Sequence, residues 1–313
     1  MAEFDLIERI RRRIPARADV ALGIGDDAAL LQIPAGRQLV VCADTLNEGI
    51  HFPAGTAAAD IGWKALAVNL SDLAAMAAEP AWCTLSLSLP GPDADWLDAF
   101  LDGFLELAAL HRVALVGGDT TRGPLSVSVT AHGFVEPGRA LLRGGAGVGE
   151  DLWVSGTLGD AAAALALLEQ GAPDALRRRL DRPTPRVELG RALAGIATAA
   201  VDISDGLLAD LAHVCRASGV GAEVELDRLP ASAALRDAVG PEQRRTFQAT
   251  GGDDYELCFT APVERARRLQ EAADVLGVPV TRVGRTAPGS TVTVRDGVGC
   301  SWLPEKSGYE HFG

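Results

Sequence analysis

Lysine is nearly absent from this chain. Only Lys64 and Lys306 occur among 313 residues, and neither closes a glycine-rich run, so no G-x-x-x-x-G-K-[ST] phosphate loop is present. Aromatic residues are scarce at 5%, which leaves Ala, Leu and Val to build the core. The five cysteines (Cys42, Cys83, Cys215, Cys258 and Cys300) are odd in number and never in C-x-x-C spacing. They exclude a disulfide framework or a zinc ribbon and read as reduced thiols of a cytoplasmic protein. Basic residues are outnumbered 29 to 42, for a net charge of -13, which excludes an ordinary nucleic-acid binder. No uncharged apolar run of ~18 residues occurs, so no membrane span is expected. The first segment, MAEFDLIERIRRRI, lacks the apolar stretch of a signal peptide and reads as an amphipathic surface helix. The protein-kinase catalytic loop is missing, because His111-Arg112 is followed by Val113. HExxH and EF-hand patterns are also missing. Gly23-x-Gly25-x-x-Ala28 matches a dinucleotide fingerprint only formally. Asp26 and Asp27 would stand where a pyrophosphate must lie, and a β-like run follows in place of a helix.

What remains alternates strand-like and helix-like runs, the pattern of an α/β fold. A prior of roughly 100–200 residues per domain suggests two domains. Leu39–Leu46, Val113–Val116, Ser126–Val135, Asp151–Ser155 and Tyr255–Thr260 read as strands. Ile61–Ala78 and Trp96–His111 read as helices, the first with Trp63, Leu66, Leu70 and Leu73 on one stripe. The glycine-rich segment 136–151 (EPGRALLRGGAGVGED) is the candidate boundary, with domains at 1–137 and 138–313.

Five segments share one expected design, an apolar strand ending in a turn that holds Gly and Asp. They are GIGDDA, CADTLNEGIHF, GGDTT, DISDGL and GGDDYE, and a sixth aspartate, Asp72, lies within a helix. Asp and Gly are ordinary turn and cap residues, so any one segment alone has a plain structural reading. Their recurrence points to hard-cation chemistry. Mg2+ takes oxygen ligands and is usually held by one or two carboxylates plus substrate phosphates. Glycines allow close approach of a phosphate, and backbone N–H groups at a helix start such as Ser204–Gly206 can hold anionic oxygens. In so acidic a chain a phosphate ligand must arrive with cations, since each like-charge pair costs ~1 kcal/mol even in water.

As a set, GIGDDAALL, ADTLNEGIHF, KALAVNLSDLAAM, GGDTTRGPLSVSVTAHGF, RGGAGVGEDLWVSGTLGDAA, DISDGLLADLAH and GGDDYELCFT resemble the thiamine-monophosphate kinase family. The resemblance spans nearly the whole chain. The wider superfamily includes aminoimidazole-ribonucleotide synthetase, selenophosphate synthetase and hydrogenase-maturation proteins. The resemblance implies two α/β domains. The N-terminal one would carry a mixed sheet, bind metal and ATP, and pair across a homodimer; the C-terminal one would complete the nucleotide and substrate sites. The implied reaction phosphorylates thiamine monophosphate with ATP and several Mg2+ ions, with K+ as a further candidate. The implied metal ligands are Asp27, Cys42, Ala43, Asp44, Asp72, Asp119, Asp202 and Asp205. Gly118, Asp119, Arg143 and Ser204 would contact ATP. His51, Asp253, Glu256 and a tail aromatic, Tyr309 first, would contact the acceptor.

Two positions depart from the family pattern. Cys42 and Ala43 replace hydroxyl residues: metal contact through backbone carbonyls would survive the change, and contact through side chains would be weakened by it. Ala77 stands where the family carries glycine. No general base is expected, since a phosphate monoester is largely dianionic above its second pKa of about 6. Two other readings fit the same turns: another ATP-dependent synthetase of the superfamily, or a non-catalytic nucleotide- or metal-binding regulator.

Overall fold

The structure is a computed structural model that describes residues 3–310. Contacts divide the chain into two compact units, Met1–Leu73 with Ala78–Gly138, and Ala74–Ala77 with Arg139–Gly313. Among the described residues no helix is long and apolar enough to cross a membrane.

The first unit begins with helix α1 (Glu3–Arg13) and a small ladder of β1 (Val20–Leu22) and β2 (Leu30–Leu31). Leu6 and Ile10 bury one face of α1, and Arg9 beside them pairs with Asp98. The main sheet has order β3-β6-β4-β5, with β3 at Gln38–Asn47, β4 at Glu79–Leu89, β5 at Ala114–Arg122 and β6 at Ser126–Val135. It is mixed: β4 and β5 run parallel and the other pairs antiparallel. The parallel pair needs a crossover, supplied by α3 (Ala94–Leu110). Asp93 caps α3 by accepting the Trp96 N–H, and Leu97, Phe100, Leu101, Phe104 and Leu107 form its buried stripe. Helix α2 (Ala58–Ala75) is buried more completely than a single stripe allows. Ile61, Leu66, Leu70 and Leu73 are enclosed, but so are Lys64, Asn69 and Ser71, while Trp63 is only half-buried. The two helices meet where Gly62 faces the Phe100 carbonyl and Gly103 faces the Ala59 carbonyl, at distances that would place a Cβ 2.0 and 1.8 Å from those oxygens.

Alternation gives the sheet two different faces. Val127, Val129 and Ala131 of β6 are buried, as are Leu85, Leu87 and Leu89 of β4. The opposite face carries Thr45, Ser86, Ser88, Ser128 and Thr130, with Thr45 and Ser128 hydroxyls 2.7 Å apart.

The second unit holds a six-stranded sheet of order β12-β9-β11-β7-β10-β8. Its strands are β7 (Asp151–Ser155), β8 (Ala199–Asp202), β9 (Gly221–Glu225), β10 (Leu257–Ala261), β11 (Val280–Ala287) and β12 (Val292–Arg295). Its helices are α4 (Asp160–Ala166), α5 (Asp174–Asp181), α6 (Val187–Leu193), α7 (Leu207–Ser218), α8 (Ala233–Ala238), α9 (Pro241–Thr250) and α10 (Ala266–Leu276). The core joins sheet residues such as Val154, Val201 and Cys258 to Leu207, Leu211 and Val214 of α7. Strand β8 therefore runs directly into α7, with residues 203–206 as the connecting loop.

Candidate functional site

That connecting loop is the best-defined site in the second unit. Asp202 ends β8, paired with Leu257 of β10. Beyond it, Ile203 N–H donates to the Glu256 carbonyl, and the Ile203 carbonyl accepts from Tyr255. The Ser204 carbonyl accepts from Asp253 N–H at 2.8 Å, and the Asp205 carbonyl from Tyr309 N–H at 3.0 Å. The loop thus gathers Asp202, Ser204, Asp205, Asp253 and Tyr309, five of the expected site residues. Phe312, the other tail aromatic, lies outside the described residues.

The N–H groups of Ser204–Gly206, expected to hold anionic oxygens, hold one from the chain itself. Asp210 of α7 occupies that position: its Oδ2 accepts from the N–H of Ser204, Asp205 and Gly206 at 3.0, 3.1 and 3.1 Å. The cap is Gly206, which has no side chain to offer, and Asp210 supplies the missing acceptor from one turn inside α7. Burial pushes the Asp210 carboxyl up to about 7, helped by repulsion from Asp202 and Asp205 and opposed by the Asp205 and Gly206 N–H bonds. Three carboxylates are therefore concentrated at one loop. The sequence signal for Asp210 was a glycine at the cap followed by an acid in the first helical turn.

The GGDDYE segment packs against the same loop in an unusual backbone. Asp253 and Tyr255 both have left-handed φ, 67° and 49°, and the Tyr255 hydroxyl donates to Asp253 Oδ1. Such residues persist only when their surroundings hold them, and they concentrate at functional sites. Glu256 does the holding. Its carboxylate is fully buried and accepts from Arg186 Nε and Nη2 at 2.6 and 2.5 Å, from Arg179 Nη2 at 2.8 Å and from the Ser155 hydroxyl at 2.6 Å. Burial alone would raise its pKa, but Arg186 first, then Arg179 and Ser155, bring it below the usual glutamate value. Glu256 was expected to touch the acceptor; enclosed by these partners, it braces the segment from behind. Arg179 and Arg186 were missed because they lie 77 and 70 residues away in sequence.

In the first unit Asp44 lies inside β3, within the run read as a strand, whereas the expected GGDTT turn is itself strand and places Asp119 inside β5. Gly118 explains how GGDTT stays extended: its φ is 151°, and a Cβ would lie 1.8 Å from the Leu85 carbonyl. Register places Asp44 on the face shared by Val129 and Leu85, and Asp119 on the face shared by Ser86 and Ser128. The two strands are opposite edges of the sheet, about 14 Å apart at the usual strand spacing. On the Asp44 face, Cys42 Sγ lies 3.4 Å from the Asn69 carbonyl of α2, and Asp72 is one turn further along the same side of that helix. Consecutive carbonyls of a strand point to opposite sides, so one of Cys42 and Ala43 presents its oxygen to the open edge. Asp27 sits exposed in the bend after Gly25, its N–H bonded to Asp26 Oδ1. His51 accepts the Asn47 N–H at Nδ1, so its neutral ring carries hydrogen at Nε2. The buried Lys64 donates to the His51 carbonyl at 2.9 Å, an anchor the sequence did not reveal.

Arg143 is exposed and stands apart from the loop in the second unit. Its carbonyl accepts from Ser218 at the far end of α7, roughly 18 Å from the Asp205 end by helical rise. Among the described residues no three His, Cys, Asp or Glu side chains converge into a ready-made metal cage. The donor set nonetheless fits Mg2+, which needs only one or two protein carboxylates beside phosphate oxygens. The mutual repulsion at Asp202, Asp205 and Asp210 is what a bound dication would relieve.

Residues 25–135 match the family described as AIR synthase related protein, N-terminal domain, and residues 147–297 match its C-terminal domain. The chain is 48% identical to thiamine-monophosphate kinase of Escherichia coli K12, over 99% of this chain and 98% of that one. Its fold is similar to a thiamine-monophosphate kinase from Stenotrophomonas maltophilia, with TM-score 0.89 and 58% identity over 94% of this chain and 96% of the other. It is also similar to AaThiL complexed with AMPPCP and TMP, with TM-score 0.79 and 33% identity over 99% and 97% of the two chains. The chain therefore belongs to the thiamine-monophosphate kinase family.

Proposed function

We propose that this protein transfers the γ-phosphoryl group of ATP to the phosphate of thiamine monophosphate, giving thiamine diphosphate and ADP. The observation that carries this reading is the full-length similarity to a thiamine-monophosphate kinase, together with a similar fold that holds an ATP analogue and TMP. The site chemistry agrees with it. The acceptor is already a nucleophilic dianion at neutral pH, so the task is to bring two anions in line. Mg2+ held by the site's carboxylates would supply the neutralising charge.

The chain's own residues then divide by role. Asp27, Asp44, Asp72 and Asp119 hold cations on the first unit, with a backbone oxygen from Cys42 or Ala43. Asp202 and Asp205 do so on the second. Gly118 and Asp119 on the first unit, and Arg143 and the Ser204 hydroxyl on the second, contact ATP; the guanidinium suits a transferring phosphate because it is planar and permanently charged. His51 Nε2–H, Asp253 and Tyr309 orient the acceptor. No side chain takes a proton in the transfer step. The protein acts in the cytoplasm as a homodimer. Strand β3 supports that assembly, as an unpaired ten-residue edge with Leu39 and Val41 exposed at 41% and 54%.

Incubation with ATP, Mg2+ and thiamine monophosphate tests the proposal directly. Thiamine diphosphate and ADP should appear in equal amounts, with a rate that levels off above the acceptor's second pKa of about 6. ATP turnover that ignores thiamine monophosphate and depends on another acceptor would reject it.

A further inference from the structure

The loop between β8 and α7 has a property that neither the family likeness nor the proposed reaction requires. Its backbone is fully committed to the protein. Ile203 donates to Glu256 and accepts from Tyr255; Ser204 and Asp205 accept from Asp253 and Tyr309; Gly206 accepts from Asp210 N–H within α7. The three remaining donors, the N–H groups of Ser204, Asp205 and Gly206, converge on Asp210 Oδ2. The loop is also pinned from outside, since a Cβ on Gly206 would lie 2.7 Å from the Thr250 carbonyl. No N–H of the loop is left to meet a ligand. The loop's polar side chains are the Ser204 hydroxyl and the Asp205 carboxylate, with the Asp202 carboxylate just before them at the end of β8.

We propose that Asp210 is a positioning residue which permanently fills the anion hole at the start of α7, so that this loop presents Asp202 and Asp205 to a divalent cation and offers its amides to no phosphate. The proposal rests on the cation reading of Asp202 and Asp205 above. A helix N-terminus with three aligned N–H groups ordinarily attracts an external anion. Here the chain supplies its own, 3% exposed and six residues from the first of those amides. An incoming phosphate would have to displace Asp210 and then sit against two neighbouring carboxylates. The nucleotide therefore reaches this loop only through its metal ions and the Ser204 hydroxyl.

The test uses full-length protein with Mn2+ as the probe cation and inorganic phosphate as the probe anion. Asp210→Asn keeps an oxygen for the three amides but loses the charge; Asp210→Ala empties the hole. Mn2+ affinity, read by electron paramagnetic resonance titration without nucleotide, should fall about tenfold in Asp210→Asn and further in Asp210→Ala, the range typical of groups that orient metal ligands. Inorganic phosphate should raise the melting temperature of Asp210→Ala and leave wild type unmoved. A purely structural role would predict neither the Asn effect nor the phosphate gain. Asp205→Asn is the reference. If it weakens Mn2+ binding while both Asp210 variants bind as wild type does, the inference fails alone. If Asp205→Asn also binds normally, the cation reading fails with it. Should Asp210→Ala not fold, the Mn2+ titration of Asp210→Asn decides.

Discussion

In the first unit Asp44 and Asp119 sit in extended backbone at the two edges of a sheet, and their strands are held by ladder hydrogen bonds, to which Asp119 Oδ1 adds a local bond from the Thr120 N–H at 2.9 Å. In the second unit Ser204 and Asp205, just beyond Asp202 at the end of β8, sit in a loop whose shape depends on charged side chains, Asp210 beneath it and Glu256 behind its neighbour. The same residue type is thus carried on two supports. A strand-borne carboxylate can be changed without disturbing the fold that presents it. A loop-borne carboxylate shares its support with other titratable groups, so chemistry and stability are coupled there.

The sharpest way to break that contrast is Asp119→Asn. The backbone of β5 pairs with β4 whichever side chain is present, so the melting temperature should stay within a degree or two of wild type. Turnover should fall on the order of 10³-fold, about 4 kcal/mol of lost transition-state stabilisation, as expected when a dication loses a holding carboxylate. Near-normal kcat at saturating Mg2+ would remove Asp119 from the site. A large loss of stability would remove the contrast itself.

Glu256→Gln is the counterpart in the second unit. It leaves Arg186, whose side chain is 17% exposed, without its charge partner. Breaking one half of a buried pair costs about 3 kcal/mol or more. Unfolding in denaturant should show that loss, and the KM for thiamine monophosphate should rise as the Asp253–Tyr255 segment loosens. The pH dependence has a definite sign. The folded-state pKa of Glu256 is depressed, so its stabilisation is complete above the unfolded value near 4.5 and is lost as pH falls toward the folded value. The gap between wild type and variant should therefore narrow in acid; a constant gap would mean that the ion pairs are not its source.

A smaller effect is expected from Lys64→Met, which tests whether the first unit also has a side-chain-held segment. The His51 carbonyl would lose a charge-assisted donor at a buried position, worth about 2 kcal/mol. Acceptor KM should rise while the Mg2+ dependence stays put, because His51 and not the aspartates is displaced. A variant with wild-type stability and KM would show that the loop holds itself.

These supports differ in how far the sequence reveals them. Apolar spacing located α3 and β6 closely, because a stripe such as Leu97–Phe104 and the alternation in β6 are set by neighbours in sequence. GGDTT was misread as a turn because Gly and Asp usually mark one. Pairing with β4 outweighs that local preference, and it depends on Leu85, which lies far off in the chain. Five site residues recur around one loop, but the reason they meet, the N–H groups of Asp253 and Tyr309 reaching back to residues 204 and 205, is long-range. Glu256 looked like a contact residue because an acid beside GGDD invites that reading. Only its partners show that it faces inward.

Ala77→Gly should have the smallest effect, and it carries the contrast into the helix that bears Asp72. Ala77 has φ 58°, left-handed for a residue with a Cβ. The cause is the end of α2: Ala78 N–H donates to the Leu73 carbonyl at 2.8 Å and Ala77 N–H to the Ala74 carbonyl at 3.0 Å, the paired bonds of a helix terminus that favours glycine. Left-handed alanine costs roughly 1–2 kcal/mol. Against this, glycine gives up one buried methyl group, about 0.8 kcal/mol. The substitution should therefore raise stability by about 0.5 kcal/mol, readable as a higher denaturant midpoint at unchanged slope. Ala65→Gly, in the buried interior of the same helix, should lower it by more than about 1 kcal/mol. Equal losses in both variants would mean that Ala77 is an ordinary helical residue. The predicted opposite signs would show that the departure from glycine at this position is a strain the end of α2 tolerates, since the buried body of the helix holds without the ideal cap. The other left-handed residues of the second unit, Asp253 and Tyr255, are instead tied down by N–H bonds to the loop.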